Sequence, residues 1–130
     1  MARSLKTSID IEKKVQHLIT KLNLSNKNDV LKLALSISIR NNEDVLQKYS
    51  LELRDNSGNE YHRTTIFNKN DEWIYYSIIR LLNNEYISED KIFPDMIKAH
   101  IINGVTILYK LDTENSSQNF DLKKQLIELL

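Results

Sequence analysis

A mainly α-helical fold, compact and built as one domain, is what this sequence predicts, on three observations. The chain has 130 residues, the size of a single domain. Only two glycines and one proline interrupt it, so tight turns are few. Apolar residues recur at three- and four-residue steps over most of its length, the period of helices with one buried face. Four to five helices follow. The one departure is a short β-hairpin or ordered loop around residues 50–67. A hydrophobic content of 41% is enough to fill a core.

Met1 to Ser8 is short and polar apart from Leu5, and reads as a loose arm or a short strand. Thr7 or Ser8 can cap the helix that follows, and Asp10 and Glu12 suit its positive N-terminus. That helix runs from about Ile9 to Leu22. Ile11, Val15, Leu18, Ile19 and Leu22 form its apolar stripe, with Lys13, Lys14, His17 and Lys21 on the opposite face. Asn23 to Asn26 break the period, and Ser25 or Asn26 can cap a second helix from about Lys27 to Arg40. Val30, Leu33, Ala34 and Ile37 are its main apolar row, widened by Leu31, Leu35 and Ile39. Lys32, Ser36 and Arg40 stay polar at four-residue spacing, so this helix is expected to be buried on most of its circumference.

Asn41 to Tyr49 is a polar connection with room for one helical turn. Ser50 to Arg54 then alternates with period two, Asp55 to Gly58 has turn chemistry, and Tyr61 to Phe67 has the β-branched and aromatic content of a strand. Gly58 is able to take a positive φ in that turn. A third helix opens at Asn68 or Asn70 and runs to about Asn83. Its Trp73, Ile74, Tyr75, Ile78, Ile79, Leu81 and Leu82 point almost all ways round. That pattern places it at the centre of a core or in contact with another subunit. Ser88, Glu89 and Asp90 look like a further helix start, and Pro94 either opens or kinks the main helix, which continues to about Leu111. Gly104 in mid-helix costs about 1 kcal/mol relative to Ala, which close approach of a neighbouring backbone would explain. Asp112 to Asn119 is a polar linker, and Phe120 to Leu130 an amphipathic helix with Leu122, Leu126, Leu129 and Leu130 on one side.

Several chemistries are excluded. Without cysteine there is no disulfide, thiolate metal site or thiol catalysis, which fits a cytoplasmic protein. No apolar run has the length of a signal peptide or a membrane-spanning helix, so neither export nor a membrane is expected. Two isolated glycines cannot build a phosphate loop or dinucleotide fingerprint. His17, His62 and His100 lack ligand partners at helical or hairpin spacing, so no metal is expected. Glu60, His62 and Arg63 fall together, but strand alternation splits Arg63 from the other two, leaving a solvated edge with a salt bridge. His100 is expected on the polar side of its helix as a satisfied interface residue. No catalytic residue, cofactor or enzymatic activity is expected.

The net charge of zero hides an asymmetry. Residues 1–40 hold eight lysines and arginines against three acids, or +5; the other ninety hold ten against fifteen, or −5. Lys13, Lys14 and Lys21 share one helix face, and Lys27 and Lys32 lie just past the corner. These five are the candidate polyanion-binding residues. Lysine is a mobile point charge suited to phosphates, whereas arginine is the better bidentate reader of guanine. The bias therefore favours backbone binding over sequence reading. Residues 1–111 are expected to form the helical DNA-binding domain, and residues 112–130 a linker and C-terminal amphipathic helix.

Three blocks resemble the DndE family of DNA sulfur-modification (phosphorothioation) proteins. They are IDIEKKVQHLITKLNL with NDVLKLALSISI, then EYHRTTIF, then FPDMIKAHIINGVTILY. In the third, Pro94, Lys98, Ala99, His100 and Gly104 fall in the family's pattern. The resemblance spans roughly residues 8–110. It implies a small helical homotetramer that binds double-stranded DNA, with a preference for nicked duplex, through surface lysines. It also implies partnership with the DndC and DndD components that put sulfur in place of a non-bridging phosphate oxygen. Two alternatives stand beside it. Arg3 to Ser8 with the two helices after it also resembles a ribbon-helix-helix repressor, in which Arg3, Lys6 and Ser8 would reach base edges. A protein–protein adaptor would instead use Trp73 and the leucine-rich tail.

Overall fold

A computed structural model describes residues 3–41, 44–68, 70–84, 86–114 and 122–129. The fold is mainly α, with one small antiparallel sheet. Strand β1 (Ser4–Lys6) leads into α1 (Ile9–Leu22), α2 (Lys27–Asn41) and the single turn α3 (Val45–Lys48). A 3₁₀ turn at Glu52–Arg54 precedes β2 (Glu60–His62), which runs directly into α4 (Arg63–Ile66) and then α5 (Glu72–Asn83). A short α6 (Glu89–Lys91), a π-helical turn at Ile92–Ile97 and α7 (Lys98–Glu114) follow, and α8 (Leu122–Leu129) closes the chain. Among the described residues no helix is long and apolar enough to cross a membrane.

Local chemistry sets the ends of the first two helices. The Ile11 amide donates to Ser8 Oγ (3.1 Å), so Ser8 is the cap of α1. Asn23 closes that helix in the left-handed conformation at φ 55°, a position asparagine tolerates. At the start of α2 the Asp29 amide donates to Asn26 Oδ1 (3.1 Å), making Asn26 the cap.

The core is built on the crossing of α2 and α7. Gly104 faces Ala34 there, and a Cβ on Gly104 would lie 1.9 Å from the Ala34 carbonyl oxygen. Absence of a side chain at Gly104 is what lets two helical backbones touch. Val30, Leu31, Ala34 and Leu35 of α2 and Ile101, Val105 and Leu108 of α7 are wholly buried around that point. Helix α1 lays Ile11, Val15, Leu18 and Leu22 onto the pair, and Leu126 of α8 joins the same core. One polar network is sealed within it. Ser38 Oγ lies 2.7 Å from His100 Nδ1, Asn103 Nδ2 donates to Ser38 Oγ (2.9 Å), and Tyr49 OH donates to Asn103 Oδ1 (2.9 Å). His100 is thus a core residue rather than the interface residue expected on the helix's polar side. Burial pushes its pKa down to about 4.

Three expectations resolve in detail, the first in favour of the ordered loop. Residues 50–59 form an ordered loop with a 3₁₀ turn, and β2 pairs with the N-terminal strand instead of folding back as a hairpin, with Leu5 opposite Tyr61. Alternation in 50–54 comes from a tight turn that half-buries Leu53 and leaves Leu51 exposed. Gly58 has no positive φ; it is needed because a Cβ would lie 2.5 Å from the Ser8 carbonyl oxygen. Helix α5 is peripheral rather than central. It buries Tyr76 and Ile79, while Trp73, Ile74, Ile78, Leu81 and Leu82 stay exposed.

The loop before β2 is held from α7. Lys98 is buried, and its ammonium donates to the carbonyls of Leu53 (2.8 Å) and Asp55 (3.2 Å) and to Asn56 Oδ1 (3.0 Å). Burial lowers its pKa, and the charges of Asp55 and Asp95 oppose that.

Candidate nucleic-acid interface

The five candidate lysines do not share one environment. The buried stripe of α1 turns Lys13 and Lys21 outward, and both are exposed with no ion pair among the described residues. Eight residues of helix separate them by about 12 Å along the axis. Lys14 leans the other way, toward α7. Its Nζ sits 3.1 Å from Asp10 Oδ2 and 5.6 Å from the centre of the Tyr109 ring. Lys27 is 3.0 Å from Glu12 Oε1, and Lys32 is 3.0 Å from Asp71 Oδ2. α1 and the corner therefore present two unengaged ammoniums and three already answered by carboxylates.

The pairing of Lys27 has a structural cause. Glu12 is mostly buried and meets three donors at one point. Thr7 Oγ1 donates at 2.6 Å, Tyr61 OH lies 2.9 Å from each carboxylate oxygen, and Lys27 supplies the charge. One carboxylate so ties β1, α1, β2 and the start of α2. Burial, reinforced by Glu12, pushes the Tyr61 phenol well above its usual range, while a bond to Asn59 opposes the rise. At neutral pH the phenol keeps its proton and donates.

His17 also differs from expectation. It belongs to the groove between α1 and α7 instead of the outward face. Its Nε2 lies 2.6 Å from Oδ2 of the buried Asp112, and its ring meets Tyr109 edge-on at 5.1 Å. Sequence periodicity could not find this pair, because its partners are 95 positions apart. Glu60 and His62 lie 3.5 Å apart on the exposed strand edge, and Arg63 turns away to Glu72 at 3.3 Å. No group of three or more histidine, aspartate or glutamate side chains able to hold a metal occurs among the described residues.

Lys13 and Lys21 are thus exposed, unpaired ammoniums on one helix, with a sealed core behind them. Comparison with curated proteins finds no match, and comparison with solved structures finds none either. The sequence model of one family does match. It is described as DNA sulphur modification protein DndE, and it covers residues 4–117, from β1 to just past the end of α7. That span takes in the paired strands, the α2–α7 core and the outward lysines of α1 together. The chain belongs to the DndE family, and with it to DNA sulphur modification.

Proposed function

We propose that the chain is a non-catalytic DNA-binding subunit of a DNA phosphorothioation system. It grips duplex DNA, nicked duplex included, by backbone phosphates. The observation that carries this reading is the outward, unpaired pair Lys13 and Lys21 on α1 of a DndE-family chain. They are offset by about 12 Å along the helix axis, so their long, flexible side chains can reach two different phosphates of one duplex. Lys14, Lys27 and Lys32 join the surface by exchanging a carboxylate for a phosphate. The reading places DNA contact in residues 1–111; Asp112–Glu114 are the last turn of α7 rather than the start of a linker, and α8 is added behind the core. It includes assembly into a homo-oligomer, a tetramer by family resemblance, working in the cytoplasm beside DndC and DndD.

Two phosphates neutralised per copy give a slope of log affinity on log salt near −1.8, at about −0.9 per phosphate. The test is a salt titration of binding to intact and nicked duplexes of unrelated sequence. Lys13→Glu with Lys21→Glu is expected to abolish binding at moderate salt while helicity is unchanged. Affinity that survives the double substitution refutes the assignment to α1. The repressor alternative loses ground to one feature. Leu5 is buried opposite Tyr61, and β1 is paired within the same chain, so that strand is not free to lie in a groove.

A further inference from the structure

Among the described residues, helix α5 and Tyr86 just past its end expose a run of large apolar side chains. Trp73 is 64% exposed, Leu81 78% and Tyr86 78%, with Ile74, Ile78 and Leu82 between 37% and 42%. On the order of 600–700 Å² of apolar surface is exposed by these six, more than the largest patch of a typical monomer. It is close to the ~800 Å² that each partner gives a standard interface.

The patch has a definite shape. Trp73, Ile74, Ser77, Ile78, Leu81 and Leu82 follow steps of one and three along the helix, the spacing of a single continuous face. The two charged side chains of α5 are engaged within the chain, and Arg80 borders the patch with its guanidinium 4.8 Å from the centre of the Tyr86 ring. Glu72 pairs with Arg63, and Arg80 donates to the Ile87 carbonyl at 3.0 Å. Trp73, Ile74, Ser77, Ile78, Leu81 and Leu82 themselves carry no charge. An uncharged face complements a copy of itself.

We propose that α5 is the seam between two copies of this chain, packed antiparallel about a two-fold axis beside Ser77. The register follows from the spacing. With the axis midway between Ser77 and Ile78, Trp73 meets the second copy's Leu82, Ile74 meets its Leu81, and Ser77 meets its Ile78. The small Ser77 lets the two helices approach, and opposed helix dipoles favour the antiparallel sense. A pair doubles the number of outward lysines, which matters because two ammoniums per copy grip DNA weakly. The inference rests on the self-assembly part of the proposed function and adds the surface and its symmetry.

The experiment uses the full chain. It has no cysteine and one tryptophan, so Ser77→Cys introduces a single thiol and Trp73 reports on the seam directly. Under mild oxidation Ser77→Cys is expected to form a disulfide between copies in high yield, and Gln16→Cys on α1 is expected not to. Leu81→Glu is expected to halve the mass measured by light scattering and to shift Trp73 emission to the red, with unchanged helical circular dichroism. Leu81 is so exposed that the variant tests assembly rather than folding. An oligomer that persists in Leu81→Glu, with no Ser77→Cys cross-link, overturns this surface while leaving self-assembly standing. A wild-type chain that is monomeric at tens of micromolar, a range in which association of −6 to −7 kcal/mol is visible, overturns both.

Discussion

Placing one methyl group at Gly104 tests the central packing of the fold. In Gly104→Ala the new Cβ would stand 1.9 Å from the carbonyl oxygen of Ala34, 2.3 Å from its carbonyl carbon and 2.6 Å from its Cα. Ordinary contact begins near 3.4 Å. All three atoms are backbone inside α2, so no rotamer change relieves the clash. Helices α2 and α7 must separate by about 1.5 Å along the contact, and the residues around it lose dispersion contacts as they part. Overpacking of a core costs about 1–3 kcal/mol, and shifting two helices lies at or beyond the upper end. The better helix propensity of alanine returns about 1 kcal/mol. The net loss expected is about 2 kcal/mol or more, a large share of the ~5–15 kcal/mol that holds a domain together. Urea unfolding followed by circular dichroism reads it as a lower midpoint. In thermal unfolding a chain of this size loses roughly 3–5 °C per kcal/mol, so the midpoint falls by about 10 °C. Ala34→Gly is not expected to rescue the variant, because the clash is with backbone. A Gly104→Ala chain as stable as wild type, or rescue by Ala34→Gly, refutes the close crossing.

Two other outcomes follow from buried polar groups. His100 has a folded pKa of about 4 against 6.5 unfolded, so between these values the unfolded chain binds more protons. Stability is therefore full above about pH 6.5 and falls as pH drops toward 4, by about 3 kcal/mol in all at 1.36 kcal/mol per unit. Chemical denaturation at pH 7 and pH 4.5 checks this, and His100→Gln should flatten the difference. Glu12→Gln removes the charge that binds Lys27 and weakens the bonds from Thr7 and Tyr61. A loss of about 1–2 kcal/mol is expected in the same assay, with a steeper salt dependence of DNA binding as Lys27 is released.

Much of this architecture is legible in the sequence. The limits of α1 and the start of α2 follow from caps and a clear apolar period. The mainly α class follows from the scarcity of glycine and proline. The expected close approach at Gly104 is found at Ala34, inside one chain. What escaped has a common cause, since it depends on residues far apart in the chain. Period cannot tell that a mostly apolar helix lies outside the core, as α5 does, because burial is decided by neighbours. Nor can it tell which lysines are already paired. Lys14, Lys27 and Lys32 look like Lys13 and Lys21 in sequence, and Asp10, Glu12 and Asp71 separate them in space. The burial of His100 is hidden from the period for the same reason, since Ser38 lies 62 positions away.

The π-helical turn at Ile92–Ile97 has a consequence for how the second half of the chain keeps its phase. Pro94 lacks the amide that would continue an α-helical ladder, and the wider turn accommodates that gap. A wide turn also changes the angular bookkeeping. Ile92 and Ile97 are both fully buried at a spacing of five, whereas Ile97, Ile101, Val105 and Leu108 follow at four, four and three. The turn acts as a phase shifter. It brings the apolar side of the segment before Pro94 into line with that of α7, which an uninterrupted helix of the same length would leave rotated apart. Adding or removing one residue within Ile92–Ile97 would turn one half against the other by about 100°. The length of this turn is therefore as much a part of the core as the side chains it aims.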